Sequence, residues 1–190
     1  MKIIKLILLG SLSIQGLSAI AQAPNTEMTK MLDLSRPNAN HEALKQLAGT
    51  WQFHDAKLSF VKGTLVRSSK YDDRFFNVEI TGGKLQVPVA RGMKEGNYRG
   101  FELEGYDNVR KVFVTIAVNN HIGSDIQEET GTYDASKKQF TYEWESELLP
   151  GEKVKNRRVV TLIDANHYTE EYYEFQDSAF VKVRELDYNK

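Results

Sequence analysis

At Gly49 the apolar period of the chain changes from that of a helix to that of a strand, and it stays there to the C-terminus. Ahead of the switch, Leu44 and Leu47 share one face of a helical pattern over 41–47. Asn40 is its expected cap, Glu42 sits in its first turn, and Gly49 supplies a left-handed stop. So short a helix does not persist alone and has to pack against whatever the strands build. After the switch Trp51 and Phe53 point one way, Gln52 and His54 the other.

Alternation recurs at 62–71, at 74–81 (closed by Gly82-Gly83), and at 98–106 around Glu102 and Glu104. Residues 84–96, with Pro88, Gly92 and Gly96, read as a strand with an irregular loop. The run 111–118 is apolar on both faces, and strands follow at 126–133, 139–148, 153–163, 168–175 and 179–188. Turns are marked by Asp107-Asn108, Asp134-Ala135-Ser136-Lys137, Pro150-Gly151, Asp164-Ala165-Asn166 and Gln176-Asp177-Ser178. Some ten strands at near-even spacing with little helix make the chain all-β, an antiparallel barrel or sandwich.

Several chemistries are excluded by composition. The 190 residues contain no cysteine, which removes disulfides, thiolate nucleophiles, zinc–thiolate sites and a lipoprotein anchor. Formal charge is -1, becoming -3 once Lys2 and Lys5 leave with a leader, too mild to attract nucleic acid or anionic lipid. Residues 1–21 have the order of a secretory signal: Lys2 and Lys5, an apolar stretch from Leu6, then Ala19-Ile20-Ala21 as the cleavage site. Export to the periplasm or beyond is therefore expected, with Gln22 as the mature start. The apolar stretch falls short of the ~20 residues a spanning helix needs, so no membrane insertion is expected after cleavage. Polar residues from 22 to 39, with Pro24 and Pro37, read as a flexible linker with one helical turn around 28–34.

Gly49-Thr50-Trp51, opening the first strand after a short helix, resembles the Gly-x-Trp signature of lipocalin-like (calycin) barrels. His41-Glu42, Gly105-Tyr106-Asp107-Asn108, Gly131-Thr132-Tyr133-Asp134 and Arg184-Glu185-Leu186-Asp187-Tyr188 follow in an order similar to bacterial domain-of-unknown-function family 1579, over roughly 40–190. The resemblance implies a lipocalin-like barrel and no agreed activity. It also implies that Trp51 lies across the barrel end with an arginine of the closing strand against its ring. Arg184 is the expected partner, since a charge amid Phe180, Leu186 and Tyr188 is otherwise awkward. Arg157 and Arg158 are rivals, but beside Lys153 and Lys155 they are expected in solvent; Arg184 itself pointing to solvent beside Lys182 is the alternative. Family members are richer in Gly and Met where this chain has 84–96, so the loop at the barrel mouth transfers least.

No catalytic motif stands out. His41, His54, His121 and His167 show no metal-ligand spacing, and His54 reads as a rim residue. A haem-binding calycin relative uses an axial histidine, a role that His121 or His167 could serve here, but no cofactor is expected. Glu102 with Glu104, and Glu143 with Glu145, read as solvated outer faces. Ser68-Ser69 and Ser124-Asp125 lack a nucleophile context. Tyr172-Tyr173 should put one ring on each face.

The expectation is a single antiparallel lipocalin-like barrel of about 8–10 strands over 40–190, closed by a short N-terminal helix. Its function would be to bind a small apolar ligand in an interior with few polar groups. Trp51, Phe53, Val112, Val114, Ile116, Tyr142 and Arg184 are the expected lining. A filled barrel acting as a protein-interaction module is the alternative, and a hydrolase or isomerase using buried carboxylates a third reading. Oligomeric state stays open.

Overall fold

The computed structural model describes residues 26–190; the expected leader at 1–21 and its cleavage site lie outside the described residues. Within the segment read as a linker, Thr26–Leu34 form a nine-residue helix, α1, whose Met28, Met31 and Leu32 side chains are exposed. Residues 34–190 form a separate unit.

That unit opens with α2 (Ala39–Lys45), which starts earlier than Asn40 would allow because Asn38 caps it. The Asn38 side-chain oxygen accepts from the Asn40 amide at 2.9 Å, and His41 Nδ1 accepts from the Asn38 amide at 3.1 Å. These bonds satisfy amides a helix start would otherwise orphan. Ala43 and Leu44 on its inner face are buried against the barrel core.

Ten strands follow: β1 (Gly49–Asp55), β2 (Lys62–Lys70), β3 (Phe75–Pro88), β4 (Met93–Asp107), β5 (Val112–Asn119), β6 (Gln127–Asp134), β7 (Gln139–Glu147), β8 (Lys153–Asp164), β9 (His167–Gln176) and β10 (Ala179–Asn189). Each pairs antiparallel with its sequence neighbours, and β1 pairs with β10, so the sheet closes as the expected barrel. Closure leaves no unpaired edge. In the closing register Phe53 faces Tyr188 and Asp55 faces Leu186. β3 does not stop at Gly82-Gly83: the register shifts between Thr81 and Lys84, and pairing with β4 resumes to Pro88. The segment read as irregular is thus a long hairpin, turned where Gly92 takes φ +86° and Val89 N–H donates to its carbonyl.

Inward positions fall into layers. At the end covered by α2, Leu44, Leu47, Trp51, Phe76, Phe113, Phe140 and Tyr168 form a buried apolar layer. A belt of charged and polar side chains lies beyond it, and past the belt the interior opens toward the opposite end. The expectation of an interior with few polar groups is corrected here: Arg67, Glu104, Glu129, Arg158 and Glu170 are all buried inside the barrel.

Candidate functional site

The belt is built by β2, β4, β6, β8 and β9, each contributing an inward charge. Arg67 Nε and Nη2 donate to the two oxygens of Glu104 at 2.7 and 3.1 Å, and Nη1 donates to the Leu47 carbonyl at 3.1 Å. Arg158 Nη2 lies 2.7 Å from Glu129 Oε2, while its Nη1 is 3.6 Å from Glu170 Oε1 and 3.8 Å from Glu102 Oε2. Tyr172 and Tyr188 hydroxyls donate to Glu170 Oε2 at 2.7 and 3.2 Å. Gln127 donates to Glu129 at 2.6 Å. The guanidinium of Arg158 also sits 4.8 Å from the centre of the Tyr142 ring.

Charges in this belt do not balance. Two guanidiniums face four carboxylates: Glu102, Glu104, Glu129 and Glu170. Burial pushes the Glu102 carboxyl up to about 8, Arg158 opposes this only partly, and Glu104, Glu129 and Glu170 add to it. Burial raises Glu129 as well, against Arg158 and Gln127. Glu102 Oε2 is enclosed yet accepts no hydrogen bond, because 3.8 Å from Arg158 is too long for one. Arg67 and Arg158 stay firmly protonated: burial works against their charge, and Glu104 and Glu129 outweigh it.

Above the belt lies a cavity of about 370 Å³, open at the end away from α2. Its floor is Glu102, Glu129 and Tyr172, its walls include Phe53, Ile80, Tyr98, Trp144, Leu186 and Tyr188, and its rim carries Lys62, Lys84, His121 and Arg184. The Tyr98 hydroxyl, buried in the wall and near Glu102, is pushed up to about 12.

Among the residues expected to line the interior, Phe53 and Arg184 border this cavity. Tyr142 points inward but is buried in the belt, where burial raises its hydroxyl and Glu104 adds to that. Trp51 belongs to the closed end, where its Nε1 donates to the Leu47 carbonyl at 2.9 Å and its ring meets Tyr168 edge-on. Arg184 does not touch it: half exposed, its Nε lies 3.8 Å from Asp55. Lys190 takes the expected place instead, 4.4 Å from the Trp51 ring centre.

Val112, Val114 and Ile116 face outward, and the inward face of β5 is Phe113, Thr115 and Ala117. Glu102 and Glu104, read as solvated, are the inward pair of β4, whereas Phe101 and Leu103 are exposed. On β4 and β5 the outer face is thus the more apolar one, which reverses an assignment made from apolarity. Glu143 and Glu145 do face outward, Glu143 toward Lys155 and Arg157. Arg158, expected in solvent, is buried, while its neighbour Arg157 is outside. Tyr172 and Tyr173 take opposite faces as expected.

The sequence pattern does not single out Glu129, Glu170 or Trp144. The one signal for Arg158 is its two-residue phase with Val160 and Leu162, both buried. Among the described residues no cluster of histidine or acidic side chains has the arrangement of a metal site. His167 bonds Asp187 at 2.9 Å and His121 stands on the cavity rim.

No curated protein matches this chain. Residues 36–190 match the family model described as "Protein of unknown function (DUF1579)". With that match spanning the whole barrel and α2, the chain belongs to the DUF1579 family.

Proposed function

We propose that this protein is an exported carrier or sensor that holds one small molecule in the open end of its barrel. The observation that supports this is the cavity of about 370 Å³, within the range of small-molecule sites, with apolar walls over a polar floor. The body of the ligand packs against Phe53, Ile80, Trp144 and Leu186, so burial drives association and the floor sets orientation. A fully packed interior would have favoured the interaction-module reading. The buried Glu102, holding its proton to about pH 8, favours a second reading, an enzyme in which this carboxyl donates a proton to a bound substrate.

The two tryptophans separate these outcomes from an empty barrel. Trp144 lines the cavity and Trp51 lies at the sealed end. Titration with a panel of apolar probes should perturb Trp144 emission saturably, at micromolar-order affinity, about 8 kcal/mol. Trp144→Phe should abolish the signal, and displacement of a bound fluorescent probe should still report binding. No saturable binding across the panel would sink the reading. Turnover of a bound ester or ketone, lost in Glu102→Gln, would favour the enzyme.

A further inference from the structure

We propose that the cavity takes the ammonium group of a small amine, its charge against Glu102 and Glu129 and its apolar body among the aromatic walls. This deepens the binding reading above and rests on it. Four carboxylates and two guanidiniums are buried in the belt, which is two cations short of balance, so the floor favours a further cation. Glu104 is satisfied by Arg67, whereas Glu102 Oε2 and Glu170 Oε1 each lack a hydrogen-bonded partner, and of these two carboxylates only Glu102 borders the cavity. Its side chain is 14% exposed, and it is on the cavity floor.

The walls suit the same ligand. Phe53, Phe60, Tyr98, Trp144, Tyr172 and Tyr188 surround the space, and an organic cation gains from aromatic faces where an anion does not. Lys62, Lys84 and Arg184 at the rim oppose a cation, but they are solvated, and Lys84 is paired with Glu95 at 2.8 Å. Charges in high dielectric act weakly, whereas those at an enclosed floor act strongly. The floor therefore decides.

Binding is coupled to a proton. Glu102 faces Glu104 and Tyr98 on its own strand, Glu129 across the barrel, Arg158, Glu170 with Tyr172, and Arg184 with Tyr188. Of these only Arg158 and Arg184 are cations, and Arg158 is shared among three carboxylates. An arriving ammonium stabilises ionised Glu102, which releases its proton.

The test uses 2-phenylethylamine, the neutral 2-phenylethanol and the anion 3-phenylpropionate, by calorimetry on the full barrel. The amine should bind at least about tenfold tighter than the alcohol. Its affinity should rise roughly tenfold from pH 6.5 to 8, since ionised Glu102 becomes abundant only near 8. Buffers of different ionisation enthalpy should show close to one proton released per amine bound at pH 7. Glu102→Gln should lose the preference for the amine over the alcohol and the proton release. Equal or tighter binding of the alcohol or the anion, or an unchanged preference in Glu102→Gln, would overturn the proposal. If an apolar probe reports on Trp144 but the charged series shows no preference, the amine assignment alone fails. If nothing binds, the carrier reading falls with it.

Discussion

Arg67 and Glu104 form a two-pronged ion pair inside the barrel, at 2.7 and 3.1 Å, with side chains 1% and 2% exposed. The third arm of the same guanidinium holds the Leu47 carbonyl, which also accepts from Trp51. One arginine thus ties the charged belt to the chain that follows α2. Arg67→Met would leave a carboxylate buried without its partner and should cost about 3–5 kcal/mol in urea unfolding. Replacing both, as Arg67→Met with Glu104→Leu, should cost less than Arg67→Met alone. A double variant destabilised by the sum of the two single changes would mean that the pair does not act as a unit.

At the sealed end, Trp51→Ala removes a ring that is 1% exposed, and should cost about 3–5 kcal/mol. Arg184→Ala should add to it independently. Trp51 stands beside Lys190, just past the end of β10, and six steps along the chain separate Lys190 from Arg184, about 20 Å at 3.4 Å per residue. Lys190→Ala should instead couple weakly to Trp51→Ala, by up to about 1 kcal/mol, as a cation that covers one face of the ring. A double-mutant cycle reads this directly. Coupling between Trp51 and Arg184 above about 0.5 kcal/mol would contradict the register of the closing strands.

Turn residues and two-residue alternation make the strands legible in the sequence, because both are local. The choice of a barrel over a sandwich rests instead on the family resemblance carried by Gly49-Thr50-Trp51 and the later motifs. The face each strand turns inward is not local. β5 is apolar on both sides, so its pattern places Val112, Val114 and Ile116 inside as readily as Phe113 and Thr115. β4 carries its acids inward because Arg67 and Arg158, on β2 and β8, meet them there. Such a partnership across the barrel has no signature along one strand. Arg184 keeps the face of Leu186 and Tyr188 but stands at the open end, away from Trp51. The expected company of Phe180 fails for a related reason: a bulge between Lys182 and Arg184 breaks the alternation of β10. Phe180 consequently turns outward under Arg157, 3.8 Å from the ring centre, and does not share a face with Leu186 and Tyr188.

The belt should leave a signature in the pH dependence of stability. Glu102 has an ordinary value of 4.5, and the fold raises it to about 8. Between those values the folded state holds a proton that the unfolded chain has released. The contribution is therefore complete below 4.5 and is lost as pH rises through 8, by up to about 1.4 kcal/mol per pH unit. Glu129, also raised, acts with the same sign. His41, lowered by burial and by Arg74, acts oppositely below 6.5. The difference between the native chain and Glu102→Gln isolates the first effect. Urea unfolding from pH 5 to 9 should show the native chain losing stability relative to the variant up to about 8 and none beyond. A difference independent of pH would mean that Glu102 titrates normally.

Export is expected from the leader alone. Lys2, Lys5, the apolar stretch and Ala19-Ile20-Ala21 have the order of a signal cut after Ala21. Edman sequencing of protein recovered from a periplasmic fraction should begin at Gln22. Protein found only in the cytoplasm, with its first residues intact, would remove this part of the proposal.

Gly63 is where the barrel wall has least room. It faces Phe53 on β1 and Gly82 on β3, so two glycines stand opposite each other beside a cavity-lining ring. A Cβ at Gly63 would lie 2.1 Å from the Thr81 carbonyl oxygen and 2.7 Å from the Phe53 ring. The first neighbour is backbone and cannot rotate away, so β2 and β3 would have to separate. Gly63→Ala should therefore cost at least about 2 kcal/mol as overpacking, and it should weaken probe binding by displacing Phe53. Gly92→Ala makes the contrast: nothing lies within 4 Å of its Cβ, and only φ +86° opposes it. Its cost should be about 1 kcal/mol of backbone strain, with probe affinity unchanged. Thermal unfolding with a probe titration of both variants checks the pair. Equal destabilisation, or undisturbed probe binding in Gly63→Ala, would mean that the β2–β3 wall yields without moving Phe53.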